Sequence, residues 1–123
     1  MVSRARGVHI IGDLHDCQLN RFALNEGDFD IFKLELKSRI SESGLVQLGA
    51  VFHYFGPSAV TGVVCLSTSH LSFHTWPESG YVSFDLFTCL NAETVPQRVK
   101  LLVDWFVEKV FISQSPQLRN ISR

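Results

Sequence analysis

Apolar and polar positions change their period several times along this chain, and each change marks an element. Val8-His9-Ile10-Ile11-Gly12-Asp13-Leu14 is β-branched, follows Gly7 and runs into a polar stretch, so it reads as a strand. Asn25 to Asp28 supplies turn residues and a helix cap. Phe29, Phe32, Leu36 and Ile40 then recur at helical spacing, with Lys33, Lys37 and Arg39 off that stripe. Gly44 is a natural stop for this helix. Leu45 to Phe55 reads as a second strand, Gly56-Pro57-Ser58-Ala59 as a turn, and Val60 to Ser67 as a third strand. The short link makes that pair antiparallel. His70 to Trp76 and Tyr81 to Cys89 alternate again on either side of a Pro77-Glu78-Ser79-Gly80 turn. Thr94-Val95-Pro96-Gln97 has the form of a capping box with Pro in the first turn. Val95, Val99, Leu102, Phe106 and Val110 form the stripe of the helix that follows, and a last short strand is expected within Phe111 to Ile121.

The order β-α-β-β-β-β-α-β, with hairpins between the helices, predicts an α+β fold. We expect a two-layer sandwich: a mostly antiparallel sheet with two helices packed on one face. The 123 residues contain no repeat, linker or low-complexity segment, so a single domain over residues 1–123 is expected.

Composition then removes several function classes. At 46% hydrophobic and 19% charged, the chain can build a core and does not read as disordered. A net charge of −1 with scattered basic residues leaves no footprint for nucleic acid or an acidic membrane surface. Apolar runs such as Gly62-Val63-Val64-Cys65-Leu66 are too short to span a bilayer. Met1 to Arg6 is basic, but no apolar stretch follows, so no secretory leader is expected. Cys17, Cys65 and Cys89 are odd in number and widely spaced. They suggest neither a CxxC site nor a disulfide framework, and a reducing cytoplasm is the expected setting.

Candidate chemistry is concentrated in residues 67–89, STSHLSFHTWPESGYVSFDLFTC. The chain has no G-x-G spacing and no Gly-Lys-Ser/Thr, so phosphate cradling lacks support. His70 and His74 sit four apart, but on a strand they stand well separated, and no metal site is expected. Cys65 reads as a small buried hydrophobe and Cys17 as incidental. Phe55 and Trp76 read as core or interface aromatics. Residue types alone therefore describe a small α+β domain with a possible His/Cys site.

The order of residues is more specific than their types. Ser69-His70-Leu71-Ser72-Phe73-His74-Thr75-Trp76-Pro77-Glu78, then Gly80-Tyr81 and Asp85-Leu86-Phe87-Thr88-Cys89, closely resembles the signature of prokaryotic S-adenosylmethionine decarboxylases. The resemblance extends to Phe52-His53-Tyr54-Phe55, to Gly62-Val63-Val64 and to His9. It implies a proenzyme that cleaves itself between Thr68 and Ser69, with Ser69 becoming a pyruvoyl cofactor. In such a reaction the serine hydroxyl attacks the preceding carbonyl, and elimination and hydrolysis follow; a strained peptide and a base are needed. By the same resemblance His74 is the processing base and Thr61 assists. The substrate amine forms a Schiff base on the pyruvoyl ketone, which serves as electron sink as carbon dioxide leaves. Cys89 matches the proton donor to the α-carbon. Phe55 matches the aromatic that stacks on adenine, and Glu78 the carboxylate that accepts from the ribose hydroxyls.

The resemblance further implies decarboxylation of S-adenosylmethionine to the aminopropyl donor of spermidine biosynthesis, by a homodimer with active sites near the subunit interface. Arginine or ornithine as substrate, and an unprocessed non-catalytic homologue, are the alternatives. Thr68 stands where the family carries Glu, Ser79 where it carries an aromatic, and Leu90 where it carries Gly. In the first strand, Leu14-His15-Asp16-Cys17 stands where an aromatic commonly precedes the acid and Cys. Ser69 and His74 are five apart, so in an unbroken strand they face opposite sides. Either the chain is irregular near Ser69, or the two meet across strands or subunits.

Overall fold

The computed structural model describes residues 7–89 and 96–123. Leu90, and Thr94 and Val95 of the expected capping box, lie outside the described residues. Six strands form one antiparallel sheet: β1 (Val8–Cys17), β2 (Gln47–Gly56), β3 (Ala59–Leu66), β4 (Ser69–Trp76), β5 (Tyr81–Thr88) and β6 (Ser113–Ser122). Their order across the sheet is β2-β3-β4-β5-β1-β6. Two helices, α1 (Glu26–Glu42) and α2 (Gln97–Trp105), complete the expected α+β sandwich.

The helix α1 begins where its cap places it: the Asn25 side chain accepts a hydrogen bond from the Asp28 N–H at 2.8 Å. Phe29, Phe32, Leu36 and Ile40 are its buried residues. It ends at Gly44, whose φ of +84° is a backbone state that costs a glycine little. The second helix differs from its periodic pattern. After Trp105 it widens into a π-helical turn, Phe106–Val110, closed by a 2.9 Å bond from the Phe111 N–H to the Phe106 carbonyl. That five-residue offset brings both Phe106 and Phe111 into the core, where their rings stack at 5.8 Å.

Among the described residues, only one face of the sheet is covered. On β3, β4 and β5 the buried apolar side chains are Val60, Val64, Leu66, Leu71, Phe73, Val82, Phe84 and Leu86, all of one parity within each strand, packed with the helical apolar residues. Gly62 lies within this layer, where a Cβ would meet the Phe73 and Phe52 rings at 2.6 and 2.8 Å. Cys65 corrects an expectation. It is exposed, because it shares the outward parity of Thr61 and Val63. A continuous apolar run reads as a strand buried on both faces, but here only one face has a partner layer. The last strand is also longer than expected: β6 pairs with β1 from Val8↔Ser122 to Cys17↔Ser113. Pro116 and the polar residues around it hide this strand in the sequence, yet they suit a sheet edge.

Candidate functional site

The β3–β4 hairpin sets the geometry of the proposed cleavage point. Its register runs from Thr61↔His74 to Leu66↔Ser69, leaving Ser67 and Thr68 as the turn. Thr68 has φ +56°, a left-handed conformation that is costly for a β-branched residue, and its hydroxyl donates to the Ser67 carbonyl at 2.7 Å. The irregularity expected near Ser69 is therefore at the residue before it. The strand pairs without a bulge from Ser69 to His74 on the β3 side and from His70 to Trp76 on the β5 side.

Regularity separates Ser69 from His74. Five residues of strand span about 16 Å, and the two side chains have opposite parity. Ser69 shares the parity of Leu71 and Phe73, which face the helices, whereas His74 is exposed on the open face. On β5, His70↔Phe87 is the last ladder pair. Thr68 and Ser69 precede that pair on the β4 side, and Thr88 and Cys89 follow it on the β5 side, Cys89 being exposed. Thr68, Ser69 and Cys89 thus gather at one end of the sheet.

The remaining candidates gather at the other end. Thr61 and His74 are cross-strand partners on the open face, with the Thr61 hydroxyl 2.8 Å from His74 Nδ1. His53 pairs with Thr61 and holds the Phe55 ring at 4.3 Å, leaving Phe55 67% exposed. Glu78 is exposed in the short helical turn Pro77–Ser79 that follows Trp76. Around it the open face carries an aromatic row: Trp76 stacks on Tyr81 at 5.2 Å, and Tyr81 on His15 at 5.2 Å. The Tyr81 hydroxyl donates to Asp13 at 2.5 Å, and its pKa is pushed up to about 12, first by that bond, then by burial and the Asp13 charge.

One cluster combines residues that spacing did not. Asp85 Oδ2 lies 2.8 Å from His9 Nε2 and 3.0 Å from His70 Nε2, and Asp85 Oδ1 accepts from the Ser72 hydroxyl. The partners come from β1 and β4, the two strands that flank β5, which carries the accepting carboxylate. Burial pushes the Asp85 carboxyl up, but the bonds from Ser72, His9 and His70 outweigh it and hold it below its ordinary value. Three candidate ligand atoms, from His9, His70 and Asp85, lie within 4.8 Å of one another, a different set from the His70–His74 pair considered for metal. Parity alone carries a trace of it: His9, His70, Ser72 and Asp85 all occupy outward positions, but only the sheet order makes their strands neighbours. Cys17 ends β1, half-buried, with its thiol pushed up mainly by burial.

A cleft of about 290 Å³ lined by residues including Arg39, Arg98, Asp104 and Trp105 lies against the two helices, and none of the candidate residues lines it. The candidates lie instead on an uncovered sheet face and its two ends. Exclusion of water there requires a second surface.

The profile of the family described as S-adenosylmethionine decarboxylase matches residues 8–117. Proteins named S-adenosylmethionine decarboxylase proenzyme show the same likeness. The one from Fervidobacterium nodosum is 40% identical over 86 residues, covering 70% of this chain and 60% of that protein. The one from Thermotoga maritima is 40% identical, covering 70% and 63%. The chain thus spans less than two thirds of those two relatives. The Archaeoglobus fulgidus protein is 34% identical over 100 residues, covering 81% of this chain and 86% of that one. The crystal structure of the adenosylmethionine decarboxylase from Aquifex aeolicus superposes with a TM-score of 0.76, covering 98% of this chain and 92% of that one. At 24% identity that likeness bears on the fold.

Proposed function

The chain belongs to the S-adenosylmethionine decarboxylase family, and from that premise we propose that it is a self-processing, pyruvoyl-dependent decarboxylase of S-adenosylmethionine, releasing the aminopropyl donor for spermidine biosynthesis. The observation that carries this reading is the left-handed Thr68 in the β3–β4 turn, immediately before Ser69 and at the same sheet end as Cys89. A strained residue at a hairpin tip presents its carbonyl to the following hydroxyl with little of the chain to move.

In processing, Ser69 Oγ attacks the Thr68 carbonyl carbon and the Ser69 nitrogen leaves, so the amide becomes an ester. Removal of the Ser69 α-proton expels the Thr68 carboxylate and leaves a double bond in residue 69. Tautomerisation and attack by water then release ammonia and leave the ketone. His74 is the base for this sequence and Thr61 orients its ring through the 2.8 Å contact. The pyruvoyl group fits the site: Ser69 opens a regular strand, so the group would stand at the sheet end beside Cys89. It would supply the electron sink for loss of carbon dioxide. Cys89 then delivers a proton to the substrate α-carbon, Phe55 stacks on the adenine, and Glu78 accepts from the ribose hydroxyls.

Within one chain these roles sit about 16 Å apart. Two copies packed open face to open face about a two-fold axis would bring the Thr61–His74 end of each against the Ser69–Cys89 end of the other, reaching Ser69 at the hairpin tip, since within the intact strand its side chain has the inward parity. Val51, Phe55, Val63 and Trp76 on that face are exposed at 38–74%, apolar surface for such a contact. Among the described residues, no helix is long and apolar enough to cross a membrane. The chain is assigned to the cytoplasm as the setting of its small-molecule substrate.

Intact mass tests the central claim. The purified protein is expected to yield fragments 1–68 and 69–123, and Ser69→Ala to stay whole. Carbon dioxide release from adenosylmethionine, arginine and ornithine in parallel then identifies the substrate. A wild-type chain that never splits ends the enzyme reading; release from arginine or ornithine alone replaces the substrate and keeps the mechanism.

A further inference from the structure

We propose that Asp85 is a positioning residue which, acting through His70, clamps the chain end created at Ser69 and keeps it on the sheet after the Thr68–Ser69 bond is broken. The inference rests on the self-cleavage proposed above. Before cleavage, Ser69 is tethered by the turn and paired with Leu66. Afterwards it is the first residue of a new chain, and free strand ends fray unless tied down. His70 is then the first residue with side-chain anchorage on the neighbouring strand. Its Nε2 reaches Asp85 Oδ2 at 3.0 Å, and its ring lies stacked on Phe87 at 5.9 Å.

The anchor is itself fixed. Asp85 stands in the middle of β5 and also receives His9 from β1 and Ser72 from β4, so the clamp is tied to three strands. Ser72 adds a second tie two residues beyond His70. The protonation pattern favours this role over a cation. Arg123 Nη1 lies 3.3 Å from His9 Nδ1, and a guanidinium can only donate, so Nδ1 accepts and Nε2 carries the proton. His9 Nε2 therefore points a hydrogen, not a lone pair, at the carboxylate. An imidazole facing a carboxylate from 3.0 Å is used in the same way at His70.

Hydrogen exchange of Asp85→Asn in two backgrounds tests the clamp. In the cleaved protein, amides of residues 70–73 are expected to exchange about tenfold faster than without the substitution, since a charge-assisted bond is lost. In the uncleaved Ser69→Ala background the turn still tethers the strand, and the same substitution is expected to change exchange by less than about twofold. His70→Phe, which keeps the stack on Phe87 and removes only the tie to Asp85, is expected to repeat the pattern if Asp85→Asn fails to fold. Equal loss of protection in both backgrounds, or none in either, overturns the clamp while leaving the enzyme reading intact. A wild-type chain that stays whole by intact mass overturns both, and the mass distinguishes the two failures.

Discussion

Thr68 is where residue chemistry and residue conformation disagree. A β-branched side chain at φ +56° is held there by the hairpin, at a cost on the order of 1–3 kcal/mol. The proposed scissile carbonyl belongs to this residue, so that cost would raise the energy of the uncleaved chain. Glycine adopts the same φ without the Cβ penalty. Thr68→Gly is therefore expected to stabilise the uncleaved Ser69→Ala protein by about 1 kcal/mol in a denaturant melt. In the Ser69-containing chain, the same substitution is expected to slow cleavage when followed by mass. Faster cleavage with no change in stability would show that strain at Thr68 does not drive the reaction. The family's Glu is absent at this position, so backbone conformation has more to explain here than a side-chain carboxylate does.

Among the elements, β5 carries the acid that joins β1 and β4. The Asp85 carboxyl is held below its ordinary value of 3.8, so it binds a proton less readily when folded than when unfolded. Its stabilising contribution is fully present above pH 3.8 and disappears as pH falls through the lower folded value. The difference in unfolding midpoint between wild type and Asp85→Asn is thus expected to shrink as pH drops below 3.8, and a difference that persists unchanged in strong acid would refute the assignment. This network shows what sequence could reach. The stripe Phe29-Phe32-Leu36-Ile40 and the Asn25 cap were legible because they are local, and α1 follows them closely. The alternation of 70–76 and 81–88 gave two strands with correct neighbours for the same reason. The Asp85 cluster was not legible, since His9 and Asp85 are 76 positions apart and meet only through the β5-β1 pairing. The π turn escaped because a 3.6-residue stripe fits Val99, Leu102 and Phe106 and carries no sign of the extra residue that buries Phe111. Exposure of Cys65 depends on a missing second layer, which no single strand's pattern records.

At the scale of the whole molecule, the sheet separates what the chemistry needs together. Ser69 and Cys89 lie at one end, Thr61, His74, Phe55 and Glu78 at the other, and β4 between them is too regular to fold back. On the proposed roles, a lone protomer contains both halves of a site and no complete one. The proposed isologous dimer would complete two at once, because each copy presents the half that its partner lacks. This predicts complementation between inactive chains. Ser69→Ala and His74→Ala are each expected to remain whole when expressed alone. Co-expressed, a mixed dimer joins Ser69 of the His74→Ala chain to the intact His74 of the other. The His74→Ala chain is then expected to split, to about half of its total at equal expression, while the Ser69→Ala chain stays intact. Thr61→Ala in place of His74→Ala should complement in the same direction, since its hydroxyl acts with His74 at the same end. Cleavage in wild type but none in the mixture, with mixed dimers demonstrated by mass, would mean that His74 serves its own chain. That outcome would require β4 to break open between Ser69 and His74, a rearrangement visible as lost amide protection across Leu71 to Phe73.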